Sequence, residues 1–104
     1  MVRIPTHRPP THPGEMLLEE FLKPHGLTQV QLAELIRVPF QRINQIIKGR
    51  RGITPDTALR LAALFGTTPE FWLNLQQGWD LYEAIHGPTA SDVKRIKPLI
   101  RAAS

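Results

Sequence analysis

The sequence contains no cysteine, which excludes a disulfide framework and any zinc site built on thiolates. It also lacks an apolar run of about 18 residues, the length that a membrane-spanning helix requires. The first residues have no apolar stretch of the kind found in a signal peptide. We therefore expect a cytoplasmic protein with no membrane partner, and 104 residues predict a single domain with one modest core.

Combinations of residues that could support catalysis are missing as well. The four histidines, His7, His12, His25 and His86, do not have the spacing of metal ligands. No glycine-rich loop could cradle a phosphate, and no nucleophile is paired with a base. The sequence therefore predicts no catalytic residue, no metal and no cofactor, and a protein that is not an enzyme.

The net charge of +4 is unevenly distributed along the chain. Residues 28–60 contain six basic and two acidic side chains, and residues 89–104 contain four basic and one acidic side chain. Residues 61–88 contain three acidic side chains and no lysine or arginine. Clustered positive charge is typical of a protein that binds a polyanion, although on its own it also fits an ordinary solvated surface.

Proline, glycine and capping residues divide the chain into segments. Residues 1–11 include three prolines and predict a flexible arm, and residues 88–104 form a basic tail. The tail has apolar residues at helical spacing, so a short sixth helix there either packs on the body or frays. These apolar positions are Val93, Ile96, Leu99 and Ile100.

Residues 12–87 predict five helices, and no segment alternates with the period of a strand. The starts of four helices are marked by His12-Pro13, by the capping box Thr28-Gln29-Val30-Gln31, by Thr54-Pro55-Asp56 and by Thr68-Pro69-Glu70. The third helix is predicted from about Pro39 to Lys48, with Gly49 as its C-terminal cap. The fold class is therefore all-α.

Helices two and three are separated by about three residues, which predicts a helix-turn-helix whose second helix enters the major groove of DNA. We predict that five residues of this helix read bases, because amides can contact adenine and arginine can contact guanine. These residues are Phe40, Gln41, Arg42, Asn44 and Gln45. The alternative is an ordinary polar surface, and Phe40 could touch a thymine methyl group or lie at the core boundary.

Residues at the start of helix two and around the C-terminus of helix three are predicted to contact phosphates, which adds affinity but no sequence information. These residues are Thr28, Gln29, Lys48, Arg50 and Arg51.

Several stretches resemble the HigA-type (VapI-like) antitoxins, a branch of the XRE or phage-repressor-like helix-turn-helix proteins. The resemblance covers residues 12–85 and is carried by His12 to Glu15, Thr28-Gln29, Leu32-Ala33, Asn44 to Gly49, Gly52 to Ala62 and Gly66 to Gln76. It implies a five-helix, lambda-repressor-like fold. It further implies dimers that repress their own operon at a palindromic operator and neutralise a HigB-like, ribosome-dependent mRNA-cutting toxin.

This sequence departs from the family pattern at the turn. Arg37 stands where glycine is usual, and Pro39 replaces the usual serine or threonine cap of helix three. A left-handed turn at Arg37 would cost stability, and both departures bear on the docking angle of helix three.

The fifth helix has more apolar surface than one face can bury. We predict that Trp72, Leu75, Trp79 and Tyr82 form a homodimer interface, because aromatic residues are enriched in such contacts. The alternative is that both tryptophans complete the core. A two-fold dimer would place two recognition helices about 34 Å apart, one turn of DNA.

The sequence is also compatible with two other functions. The protein could be a plain repressor with no toxin partner, or a toxin-binding module that has lost operator reading. Candidate toxin-binding surfaces are the acidic residues 61–88 and the first helix.

Overall fold

The computed structural model describes residues 10–99. The predicted arm lies outside this part of the chain except for Pro10 and Thr11, and so do residues 100–104, including Ile100. Within the described residues all regular structure is helical, as predicted. The helices are α1 (Pro13–Met16, Leu17–Leu22 and Lys23–His25, which are continuous), α2 (Gln29–Ile36), α3 (Phe40–Ile47), α4 (Pro55–Phe65), α5 (Pro69–Ile85) and α6 (Ala90–Arg95).

The helix starts follow the local signals in the sequence. The Thr28 hydroxyl accepts a 3.0 Å hydrogen bond from the Gln31 amide, and the Gln31 side chain accepts a 2.9 Å bond from the Thr28 amide. Both halves of the predicted capping box are therefore present. Thr54 and Thr68 cap α4 and α5 through their hydroxyl groups alone, which accept the amides of Thr57 and Phe71, and each is followed by a proline as the first helical residue.

The middle of α1, Leu17–Leu22, is π-helical, which the sequence pattern did not predict. The amide of Lys23 donates to the carbonyl oxygen of Leu18, five residues earlier. Pro24 follows directly and has no amide hydrogen, so the ordinary helical bond is lost at this point. The wider turn brings Leu17 and Leu22, five residues apart, to the same buried face.

One hydrophobic core joins α1 to α5, with Trp72 at its centre. The tryptophan is fully buried, and its Nε1 donates a 2.8 Å hydrogen bond to the Thr67 hydroxyl. The rings of Phe21 and Phe71 pack at centroid distances of 4.9 and 5.1 Å from it. The expectation that Trp72 contributes to a dimer interface is therefore wrong, because its whole surface is covered by its own chain.

The turn between α2 and α3 is left-handed at Arg37, whose φ is 61°. The next apolar residue, Val38, turns inward and is buried. Pro39 then adopts an extended conformation before α3 and provides no side-chain cap, although its carbonyl oxygen accepts the amide of Arg42 at 3.0 Å. The turn thus forms without the glycine and the hydroxyl cap that are usual in the family pattern.

Helix α1 packs against the end of α3 through Gly14. A Cβ atom at this position would overlap the carbonyl group of Ile46. The absence of a side chain therefore allows the two backbones to approach closely, and this contact fixes α3 on the body of the domain.

The tail forms α6, but its apolar side chains do not pack on the body. Val93, Ile96 and Leu99 are 61%, 71% and 91% exposed. Of the two alternatives for the tail, packing against the domain is thus not observed for the residues that the structure describes.

Candidate nucleic-acid interface

Helix α3 has one buried face and one polar face. Ile43 and Ile46 are fully buried against the core. Gln41 and Lys48 are exposed on the other side, and Gln45 between them is partly exposed. Long amide and ammonium groups therefore project from a short, firmly packed helix, which is the arrangement needed to reach base edges in a major groove.

The predicted base-reading residue Asn44 and the predicted phosphate-binding residue Gln29 contact each other. Asn44 Nδ2 donates a 3.0 Å hydrogen bond to Gln29 Oε1, and both side chains are partly buried. Gln29 is the first residue of α2, where the helix amides provide an anion-binding end. The bond therefore connects the polar face of α3 to the N-terminal end of α2.

On the opposite edge of α3, Arg42 forms an ion pair. Its Nη1 lies 3.0 Å from Oδ2 of Asp56, the same oxygen that accepts a 2.9 Å bond from Arg60 Nε. Arg60 Nη1 also donates to the carbonyl oxygens of Ile36 and Arg37, at 2.8 and 3.4 Å. A positive charge thus lies at the negative end of the α2 dipole.

From the sequence, Asp56 marks only the start of a helix, and Arg60 has no assigned role. The four-residue spacing of this pair could have indicated their mutual contact. The Arg60 hydrogen bond, and secondly that from Arg42, lower the pKa of Asp56. The carboxylate is therefore charged near neutral pH.

The predicted phosphate-binding cations Lys48, Arg50 and Arg51 follow α3 and are all exposed. Thr28 is exposed as well, although its hydroxyl oxygen accepts the capping bond of α2. Phe40, at the start of α3, is 41% exposed.

Comparison with known proteins agrees with this geometry. The helix-turn-helix family model matches residues 18–72. Virulence-associated protein I of Dichelobacter nodosus is 52% identical over 73 residues, 70% of this chain and 68% of the relative. Antitoxin HigA-1 of Vibrio cholerae is 42% identical over 94 residues, 90% of this chain and 88% of the relative. The chain belongs to the HigA-type antitoxins of the helix-turn-helix family.

A solved structure extends the likeness of this HigA-type protein to three dimensions. Antitoxin GraA in complex with its operator matches with a TM-score of 0.83 and 38% sequence identity, over 97% of this chain and 100% of that chain. The family consists of DNA-binding regulators rather than enzymes, which confirms the prediction that this protein is not an enzyme.

The loop after α3 in this HigA-type protein is held by Gln76 of α5. Gln76 Oε1 accepts a 2.7 Å hydrogen bond from the amide of Ile53. A Cβ atom at Gly52 would lie 2.9 Å from the end of the Gln76 side chain, so a larger residue there would displace the Gln76 amide from this position. Because Arg50 and Arg51 directly precede this contact, it also limits where their side chains can reach.

The remaining predicted interface residues, Leu75, Trp79 and Tyr82, lie along α5 and are each partly buried. The ring of Trp79 meets the ring of His12 edge-on at 4.9 Å. Leu81 and Ile85, on the same half of the helix, are 39% and 41% exposed. This half of α5 thus keeps apolar surface that its own chain leaves uncovered.

Two other classes of site find no support in the described residues. Among residues 10–99, no group of histidine and carboxylate side chains could hold a metal ion. Nor is any helix in that range long and apolar enough to cross a membrane.

Proposed function

We propose that this HigA-type protein is an autoregulatory antitoxin, which represses its own operon and also neutralises a HigB-like toxin. The observation that carries the DNA-binding part is the polar face of α3, where Gln41, Asn44 and Gln45 lie beside the exposed cations that follow the helix. The operator complex of the GraA antitoxin, which shares this fold, supports the proposal.

The proposed contacts fall into two groups. Gln41, Asn44 and Gln45 read adenine edges, Arg42 reads a guanine, and Phe40 contacts a thymine methyl group. Phosphates are bound by the start of α2 and by the cations after α3, which add affinity that depends strongly on salt. The phosphate-binding residues are Thr28, Gln29, Lys48, Arg50 and Arg51.

Operator binding is tested by titrating the protein into labelled DNA from upstream of its own gene and into a scrambled duplex, at two salt concentrations. We expect a preference for the native duplex that persists at the higher salt. Gln41→Ala should reduce that preference, by about 1–3 kcal/mol for a bidentate contact. Arg50→Ala should weaken binding to both duplexes alike and reduce the salt dependence.

Equal, salt-sensitive binding to both duplexes would contradict the repressor proposal. The cations would then contact phosphates only, and toxin neutralisation would be the remaining function.

The proposed dimer uses Leu75, Trp79 and Tyr82 of α5, without Trp72. A charged side chain in this apolar surface should separate the subunits, because an unpaired charge is costly to bury. We expect Tyr82→Glu to shift the protein from dimer to monomer in sedimentation equilibrium. Leu59→Glu is the matched control, since Leu59 is 60% exposed on α4, outside the proposed interface. A monomeric wild type would contradict the proposal.

Toxin neutralisation is tested separately, by co-expressing the protein with the toxin gene expected beside its own. We expect restored growth and co-purification of the two proteins, and Gln41→Ala should retain both effects. Loss of operator binding with retained toxin binding would then separate the two functions. A protein that binds its operator and retains no toxin would instead be a plain repressor.

A further inference from the structure

Two side chains of α4 connect the turn of the helix-turn-helix to its recognition helix. Asp56 Oδ2 accepts hydrogen bonds from Arg60 Nε at 2.9 Å and from Arg42 Nη1 at 3.0 Å. Arg60 in turn donates to the Ile36 carbonyl oxygen at 2.8 Å, at the end of α2. Asp56 and Arg60 together therefore connect α4 to α3 and to the end of α2, at the edge of the proposed DNA-binding face.

We propose that Asp56 and Arg60 are positioning residues that hold the guanidinium of Arg42 for the recognition of a guanine base. The inference rests on the proposed operator binding and names the residues that determine its specificity at one base pair.

The chemistry of arginine makes this arrangement effective. A guanidinium group has five N–H donors in one plane, and the contact with Asp56 uses Nη1. The edge formed by Nε and Nη2 can still meet O6 and N7 of a guanine in a bidentate contact. Because Asp56 already restricts the Arg42 side chain, less conformational entropy is lost when DNA binds.

A purely stabilising role explains the arrangement poorly. The side chain of Asp56 is 57% exposed, and exposed ion pairs contribute little to stability. A carboxylate close to DNA also repels phosphates, so it weakens binding to any sequence. An acid that lowers general affinity but orients a base-reading arginine increases discrimination between sequences, which is what a repressor requires.

The experiment measures the affinities of the wild type and of Asp56→Asn for the operator, for a set of single base-pair substitutions in it and for a scrambled duplex. For the wild type, replacing the guanine that Arg42 reads should cost about 5- to 150-fold in affinity. For Asp56→Asn, this factor should fall to a few-fold, and affinity for the scrambled duplex should rise because a negative charge is removed. Weaker discrimination at one base pair together with tighter binding to the scrambled duplex would not follow from a merely structural role of Asp56.

Matched variants identify the base pair and control for charge. Arg42→Ala should lose discrimination at the same base pair as Asp56→Asn, and the double variant should lose no more discrimination than Arg42→Ala alone. Arg60→Lys keeps the charge but not the planar fork, so it should have an intermediate effect. Glu34→Gln removes an exposed negative charge from α2 and should leave the base-pair profile unchanged.

Two results would overturn the inference: full discrimination by Asp56→Asn at the base pair that Arg42 reads, or an unchanged profile for Arg42→Ala. A wild type that binds operator and scrambled duplex equally would contradict the proposed function itself. If only the positioning role of Asp56 is wrong, the wild type still prefers its operator to the scrambled duplex. The two failures can therefore be told apart. Thermal unfolding of each variant establishes that it is folded.

Discussion

Asn44 and Gln29 are joined side chain to side chain, with Asn44 Nδ2 donating to Gln29 Oε1 at 3.0 Å. The sequence assigns base reading to the first residue and phosphate binding to the second. Each amide has another polar group that this bond does not use, the oxygen of Asn44 and the nitrogen of Gln29. We infer that each residue orients the other, so that the two proposed DNA contacts are energetically coupled.

This coupling is testable with a double-mutant cycle on operator binding. Gln29→Ala and Asn44→Ala should each weaken binding, and the double variant should lose less than the sum of the two losses. The expected coupling is about 0.5–3 kcal/mol, the range for residues in contact, measured by fluorescence anisotropy. Gln77→Ala, an exposed amide on α5, should change nothing. Strict additivity would mean that the two residues act independently.

The left-handed turn at Arg37 predicts a stabilising substitution. A φ of 61° is unfavourable for a residue with a Cβ atom, by about 1–2 kcal/mol, whereas glycine adopts it without strain. Glycine also increases the entropy of the unfolded chain, which offsets about 0.4–1 kcal/mol of the gain. We therefore expect Arg37→Gly to raise the free energy of unfolding by about 0.5–1 kcal/mol.

The measurement is the midpoint of thermal unfolding, which should rise by a few degrees. Gly66→Ala is the reverse control, because Gly66 has a φ of 74° and open space where a Cβ atom would lie. Its midpoint should fall for backbone reasons alone. An unchanged or lower midpoint for Arg37→Gly would show that the turn is not strained.

The features that the sequence predicted well are local. The capping box at Thr28 and the glycine cap at Gly49, whose φ is 74°, depend on neighbours within a few residues, and both adopt the expected geometry. The polar face of α3 follows from helical spacing alone. The helix count and the all-α class could therefore be derived before any tertiary contact was known.

The features that were missed depend on tertiary packing. Trp72 and Trp79 lie seven residues apart on one helix, yet Trp72 is fully buried and Trp79 is partly exposed. Their difference depends on which neighbouring helices cover each turn of α5, and periodicity does not contain that information. The contact of Arg42 with Asp56 likewise joins two helices across 14 positions of sequence. It too depends on how the helices pack.

Opposite effects are expected for alanine at two glycines, one at the close approach of α1 and α3 and the other in the interior of α5. Gly14→Ala would drive a Cβ atom into the backbone of Ile46, which cannot rotate away. We expect a loss of about 1–3 kcal/mol in the free energy of unfolding, as for other overpacked sites. In its own chain, a Cβ atom at Gly78 in the interior of α5 would meet nothing within 4 Å, so in the monomeric Tyr82→Glu background Gly78→Ala should gain about 0.5–1 kcal/mol.

Both effects are measured by urea denaturation. Equal stability of Gly14→Ala and the wild type would show that α1 can move away from α3. Operator affinity of the folded Gly14→Ala protein then reports whether that movement also displaces the recognition helix.

His12 makes stability depend on pH, because it caps α1 through an acceptor nitrogen. Its Nδ1 accepts a 2.9 Å hydrogen bond from the Gly14 amide, so protonation at Nδ1 would remove this bond. Burial lowers the pKa of His12 below 6.5, although Asp80, Glu15 and Glu83 each act to raise it. The neutral imidazole is therefore the form that the folded protein favours.

The lowered pKa determines the direction of the effect. Well above pH 6.5, His12 is neutral in both states and the folded protein has its full stability. As the pH falls below that value, the unfolded chain takes up the proton first, so the free energy of unfolding decreases until the folded pKa is passed. We expect this decrease in chemical denaturation as the pH falls through 6.5. His12→Asn, which keeps a capping oxygen, should flatten it. A slope unchanged by His12→Asn would assign the pH dependence to other groups.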